Sequence, residues 1–316
     1  MILTNKYLIR RLVSDYDLPF PVVSDKDPGY NKYMLDLIPG AKEKAELMED
    51  TINNKHNGDP GAFLDDYDKV KSGMIDNLKK RPEFIAFNTG DMKKWIVSDR
   101  PEGLPAGSPH NFGNLGKTLL SVDLKEANFQ ALKLGGVFSA EETYESIIEG
   151  FTDSKYIIDC KHFRNVVFGQ LNPSRHITVE RWMTNQIRKV LSPLLSGVKL
   201  ISQREDELVW EILDPSETLP DIPKIVSELL GWKVRAEVYT LSGYTIARDI
   251  TSKKIEFFSK TMMESGEVKY KSIPSKFFPL VWKYMNNQVP EDYDYLIEHD
   301  GMIARLMFTP KIEKVG

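Results

Sequence analysis

The chain has 316 residues, 41% of them hydrophobic and 28% charged, with a net charge of −4. That is enough for a sizeable core in one to three domains. It excludes a disordered or collagen-like chain, and no apolar run reaches the roughly 18 to 20 residues of a membrane-spanning helix. The lone Cys160 excludes an internal disulfide, and five scattered histidines argue against a Cys/His zinc site. The start, MILTNKYLIRRLVSDYDLPF, meets charges too early for a secretory signal, so a cytoplasmic protein without a membrane partner is expected.

Residues 1–98 read as a helical N-terminal region. AKEKAELMEDTI and LDDYDKVKSGMIDNLKK place apolar residues three and four apart, with turn chemistry in NNKHNGDPGA between them. Residues 99–117, DRPEGLPAGSPHNFGNLGK, are the best candidate for a linker or ordered loop. TLLSVDL (118–124) predicts a short strand ending in a carboxylate, and KEANFQALKL predicts a helix. SAEETYESIIEGF opens with Ser139 ahead of Glu142, a capping-box spacing. SKYIIDCKHFRNVVFG reads as one helix stopping at Gly169, and TVERWMTNQIRKVLSPLL as another.

LISQREDELVWEIL (200–213) reads as a strand with Glu205, Asp206 and Glu207 in its middle. Buried there, such charges need solvent, a partner or a cation. DPSETLPDIP follows as a turn and KIVSELLGW as a short helix. Residues 233–316 form a strand-rich C-terminal extension: KVRAEVYTL, YTIARDI, KIEFFSK and EVKYKSI alternate as separate antiparallel strands. SKFFPLVWKYMNNQ reads as a helix despite Pro279, and YLIEHDGMIARLMF as a hairpin around Asp300-Gly301. The fold class expected is α+β.

Two features carry chemistry. Asp123 closes one strand and Asp206 sits in another; if the strands lie side by side, the carboxylates converge and must share a proton or bind a cation. Carboxylates plus substrate phosphates suit Mg²⁺, and a metal pair serves in-line displacement at phosphorus. Between them, residues 161–189 hold Lys161, Arg164, Arg175, Arg181, Arg188 and Lys189 against the single acid Glu180, with His162 and His176 as further donors. That basic stretch reads either as a solvated helix face or as a phosphate-binding one. Taken alone, Asp123 is also a plausible helix N-cap, and Phe168 a plausible core residue.

EDELVWEI resembles the third palm motif of family A DNA polymerases, the DNA polymerase I type, whose pattern is V-H-D-E-L-V-F-E. LLSVDLKEANFQALKL resembles the first palm motif, and CKHFRNVVFG the fingers helix R-R-x-x-K-x-x-x-F-G; single-subunit phage RNA polymerases share the layout. The resemblance covers roughly residues 115 to 215. It implies a palm over 118–232 with short fingers at 155–192, and a thumb or clamp role for the N-terminal helices. It implies a small polymerase without proofreading, of a phage, virus or mobile element, acting with Mg²⁺ or Mn²⁺ on a DNA template and primer and nucleoside triphosphates, with other replication proteins as further partners. Asp123, Asp206 and the carbonyl of Leu124 would hold metal, and Glu207 would support the metal or primer end. Lys161 and Arg164 would meet the triphosphate, and Phe168 would stack on the nucleotide.

The departures are specific. Glu205 replaces the family's histidine. Asn128 stands where the family's sugar-gate glutamate stands, five positions after the first aspartate, which relaxes the expected deoxy selectivity. Asn172-Pro173 replaces a second aromatic-glycine pair, and the segment from Gly169 to Asp206 is short. A primase or ribonucleotide-tolerant polymerase of the same fold is one alternative, and a non-catalytic nucleic-acid-binding replisome scaffold is another.

Overall fold

The computed structural model describes residues 2–19, 28–99, 101–104, 107–214, 216, 218–248, 251–299 and 302–315. The N-terminal third folds into helices α1 (Lys6–Asp15), α2 (Pro28–Leu37), α3 (Ala41–Lys55), α4 (Pro60–Lys80) and α5 (Pro82–Thr89). Then come β1 (Thr118–Leu124), α6 (Ala127–Leu134), α7 (Tyr144–Ile148), α8 (Lys155–Ile158), α9 (Lys161–Gly169) and α10 (Pro173–Leu191). β2 (Val198–Gln203), β3 (Glu207–Ile212), α11 (Ile222–Leu230), β4 (Val234–Arg248), β5 (Thr251–Met262) and β6 (Val268–Lys271) follow. The chain closes with α12 (Phe278–Met285), β7 (Leu296–His299), β8 (Met302–Arg305) and β9 (Lys311–Val315). The protein is α+β, as expected.

One antiparallel sheet organises the fold, in the order β2-β3-β1-β4-β5-β6, with β9 also pairing β4. Side chains alternate across it with the period of a strand. Leu120, Val122 and Leu124 of β1, with Leu208, Trp210 and Ile212 of β3, face the helices and join the main core. Leu119, Val209, Tyr239, Leu241 and Phe258 form a smaller cluster on the opposite, front face. Asp123 and Glu207 are paired in register on that front face.

Several sequence expectations change here. LISQREDELVWEIL is a hairpin, not a single strand: β2 and β3 pair with each other, and the charged run Arg204–Asp206 lies between them. A turn takes those charges to the sheet's end, where they need not be buried. KVRAEVYTL and YTIAR fall in one continuous strand, β4, running through Gly243; Asp249 and Ile250, the end of the expected YTIARDI strand, lie outside the described residues. Leu115 and Phe112 of the 107–117 segment pack so close to Gly243 that a Cβ there would lie 2.8 Å from Leu115. β4 also pairs directly with β1, so β4, β5, β6 and β9 of the C-terminal extension continue the sheet of β1–β3, while β7 and β8 pair with each other. β9 had no counterpart in the sequence reading; it takes over the edge of β4 beyond β1.

The helix expected over 154–169 breaks into α8 and α9, with Cys160 capping α9 by accepting from the Phe163 N–H at 3.2 Å. Ser139 and Glu142 do exchange capping hydrogen bonds, but helix α7 starts later, behind its own Thr143–Ser146 box. Pro279 is tolerated because it lies in the first turn of α12, where its missing N–H has no helical partner anyway. The β7–β8 hairpin forms as expected; Asp300 and Gly301 lie outside the described residues.

The N-terminal helices share the main core with α8 and α9. At their junction Asp15, 1% exposed, accepts from the Tyr67 and Tyr156 hydroxyls, each at 2.9 Å, with Arg11 Nε at 3.4 Å. Burial pushes the Asp15 carboxyl up, and these partners oppose it. The Cys160 thiol reaches the Asp15 carbonyl at 3.5 Å, so the node fixes where α9 begins. Tyr156→Phe removes a donor from a buried carboxylate and should destabilise the fold by about 1–3 kcal/mol in urea titration. Tyr144, whose buried hydroxyl has no partner among the described residues, should tolerate Phe with little change or a gain. Equal losses in the two variants would contradict this account of the node.

Candidate active site

The site is built where β1 ends. Alternation places Ser121 and Asp123 on the front face, and pairing with β3 sets Asp123 opposite Glu207. The Leu124 N–H donates to the Asp206 carbonyl at 2.9 Å, which fastens the strand end to the β2–β3 turn. At Glu126 the backbone enters the left-handed region (φ 52°) and turns sharply into α6. The Glu126 carboxylate accepts from Arg164 of α9 at 2.8 Å.

These elements enclose a cavity of about 400 Å³ lined by Asp123, Leu124, Asn128, Lys161, Arg164 and Asp206, with Glu180 and Arg235 among the further lining residues. Six sequence-predicted residues therefore share one cavity. Glu207 is not among the lining residues: it sits beside them on the front face and accepts from Ser121 Oγ at 2.6 Å. Phe168 is a correction. It is fully buried, its ring meeting Phe129, Phe138 and Tyr144, and it presents no face on which a nucleotide could stack. An aromatic ring on the inner side of an amphipathic helix gains more from core burial than from solvent exposure.

The electrostatics are those of carboxylates crowded in a half-dry place. Burial raises Asp123 to about 6; Asp206 and Glu207 add to the rise, while Arg235, 3.0 Å away, and Lys161 oppose it. Asp206 is raised by burial first, then by Glu180 and Glu207, against Arg204. A cation between such groups relieves both desolvation and repulsion. Among the described residues, no three His, Cys, Asp or Glu side chains stand together as a metal-holding group. The arrangement is instead two carboxylates and a strand end facing one cavity, which leaves part of any metal's oxygen shell to substrate and water.

Glu205 is explained by Arg181, which binds it at 2.7 Å and holds its carboxyl below the usual range. It is a bridging charge at the turn. Two residues of the site escaped the sequence reading. Arg235 occupied an ordinary polar position of an alternating strand, and only the β1–β4 register brings it to Asp123. Glu180 had a weak signal as the lone acid in the basic stretch; in the fold it is buried, with His176 Nδ1 at 3.2 Å. Arg188 and Lys189 turn to Asp99 instead, anchoring the start of the 99–117 segment to α10.

No protein-family model, curated protein or solved structure matches this chain. Among the described residues, no helix is long and apolar enough to cross a membrane.

The Asp123 shift predicts a pH dependence of stability. The folded carboxyl binds its proton more tightly than the unfolded one, so the metal-free protein loses stability as pH rises from about 4 through about 6. Asp123→Asn removes that group, and its melting temperature relative to the wild type should climb across this window and level off above it. A constant difference between the two proteins would refute the raised carboxyl.

Proposed function

We propose that this chain is a template-directed nucleotidyltransferase, a small DNA polymerase that joins a primer 3′-hydroxyl to the α-phosphorus of a nucleoside triphosphate and releases pyrophosphate. The observation that supports it most is that Asp123 and Asp206, far apart in sequence, line one cavity with Lys161 and Arg164. Carboxylates and cations lining one cavity match a reaction in which a metal-bound polyphosphate is attacked and its leaving group departs with negative charge.

The crowded carboxylates suit a hard divalent ion, so Asp123, Asp206 and the Leu124 carbonyl would hold Mg²⁺ or Mn²⁺, with phosphate oxygens completing the shell. Bound there, the metal would lower the charge barrier to attack and steady the leaving oxygen. Lys161, exposed at the cavity wall, would draw in the triphosphate. Arg164 is engaged by Glu126, so phosphate binding would exchange one anionic partner for another and couple α9 to the occupied site. Glu207, held by Ser121, would keep the charge of the front face beside Asp123 without touching the nucleotide.

Asn128 supports a second reading. It lines the cavity from the first turn of α6 and brings an uncharged amide where a glutamate would exclude a 2′-hydroxyl. Ribonucleotide use, and with it primase-like initiation, follows from that substitution. Assays with dNTPs and with NTPs, with and without primer, separate the two.

Asp123→Ala or Asp206→Ala should lower primer extension in Mg²⁺ by about a thousandfold or more, with circular dichroism retained and no loss of thermal stability. Full extension by both variants would overturn the assignment.

A further inference from the structure

A second cluster lies on the front face of the sheet, beyond Glu207. The register of β4, β5 and β6 sets Lys260 opposite Leu241, Lys269 opposite Lys260, and Lys271 opposite Phe258, so all three lysines share the face that carries Asp123 and Glu207. Lys269 is neutralised by Glu237 at 3.0 Å, and Glu237 also meets Arg235 at 3.6 Å. Glu207 accepts from the neutral Ser121 hydroxyl, which leaves its charge in place. Lys260 is only 4% exposed, yet among the described residues its ammonium has no hydrogen bond or ion pair; it lies 4.2 Å from the centre of the Tyr239 ring. Lys271 and Arg204, both exposed, likewise make no side-chain ion pair among the described residues.

The 107–117 segment covers this cluster from above. The Gly116 N–H donates to the Leu241 carbonyl at 2.9 Å, and Phe112 packs on Phe258 with ring centres 5.6 Å apart. That brings His110 to within 6.4 Å of Tyr239, centre to centre. Its Nδ1 lies 3.3 Å from Ser108 Oγ, while among the described residues its Nε2 is buried with no hydrogen-bond partner and the buried Tyr239 hydroxyl also has none. Burial, then Lys260, Lys271 and Arg204, push His110 down to about 4, which makes it a neutral ring near pH 7. If Ser108 donates to Nδ1, Nε2–H is a free donor. Three cations without a direct ion pair and two polar groups, unpartnered among the described residues, lie near one another; burial and Lys271 push the Lys260 ammonium toward its neutral form, while Glu207 and Glu237 oppose them only in part. Crowded cations repel and buried donors are costly to leave unmade, and an anion with several acceptor oxygens answers both.

We propose that His110, Tyr239, Lys260, Lys271 and Arg204 form a binding site for a phosphate group, separate from the Asp123–Asp206 cavity. A tetrahedral phosphate has oxygens enough for two neutral donors and three cations, which a planar carboxylate has not. The phosphate is that of a nucleic-acid strand lying over the sheet or of a free nucleotide. Arg204 stands two residues before Asp206, between β2 and β3. That choice of ligand rests on the nucleotidyl-transfer reading, whereas the phosphate site itself does not.

The test follows the His110 ring by NMR in full-length, metal-free protein with ¹³C-labelled histidine, at constant pH, with His110→Gln giving the assignment. Inorganic phosphate should shift the His110 signals saturably. Arg204→Ala/Lys271→Ala, which alters only exposed side chains, should weaken that binding about tenfold or more, and the near-isosteric Lys260→Met should do the same. Lys161→Ala/Arg164→Ala should leave it unchanged. No saturable shift, or equal affinity in wild type and the Arg204/Lys271 variant, overturns the site. Displacement of phosphate by an oligonucleotide without terminal phosphates identifies a strand backbone as the ligand, displacement by a nucleoside triphosphate identifies a free nucleotide, and displacement by neither overturns the nucleic-acid assignment. Because the readout is a ring signal without metal or turnover, its failure is distinct from a failure of nucleotidyl transfer.

Discussion

The antiparallel pairing of β1 with β3 is the constraint on which the site depends. In this register Asp123 stands opposite Glu207, and the Leu124 N–H closes on the Asp206 carbonyl at 2.9 Å. A slip of one residue would turn Asp123 and Ser121 toward the helices and send Leu120 and Val122 to the front. The apolar residues hold the register: Leu120, Val122 and Leu124 join the main core with Leu208, Trp210 and Ile212. The hydrophobic effect thus fixes the position of charges that it would itself exclude. The carboxylates remain half-buried, and that cost appears as the upward displacement of both acids.

Around this pair the fold distributes positive charge by distance. Arg235 meets Asp123 directly from β4. Lys161 and Arg164 come from α9, whose first residue is set by the Cys160 cap and by the Asp15 node that ties α9 to α1, α4 and α8. The helical N-terminal region therefore positions the cationic wall of the cavity from behind. Arg181 takes Glu205 out of competition for cations at the turn. Beyond the cavity, Lys260, Lys271 and Arg204 continue the positive potential along the front face beneath the 107–117 segment.

Much of this arrangement was legible in the sequence, for identifiable reasons. β1 and α6 were read from a short apolar run and helix-forming residues; within the expected turn DPSETLPDIP, Asp214 accepts from the Ser216 N–H, whereas Asp221 is the N-cap of α11, accepting from the Lys224 N–H. Asp123, Asn128, Lys161, Arg164 and Asp206, each singled out in the sequence, line one cavity. The hairpin inside LISQREDELVWEIL was hidden because no Gly, Pro or Asn marks its turn, which the Arg204 N–H closes on the Glu207 carbonyl at 2.8 Å. Phe168 was ambiguous at helical spacing, and only the packing of Phe129, Phe138 and Tyr144 decided it. Arg235, Glu180 and Lys260 were out of reach because their roles come from long-range strand register and helix packing, which local pattern does not carry.

The central claim is that Asp123 and Asp206 hold one divalent cation in the cavity they line. Anomalous diffraction from crystals grown with Mn²⁺ and a non-hydrolysable nucleoside triphosphate tests it directly. The account predicts an anomalous peak within coordination distance of both carboxylates, with the phosphates of the nucleotide on its other side toward Lys161 and Arg164. A fully occupied nucleotide with its Mn²⁺ held elsewhere, and no peak between Asp123 and Asp206, would contradict it.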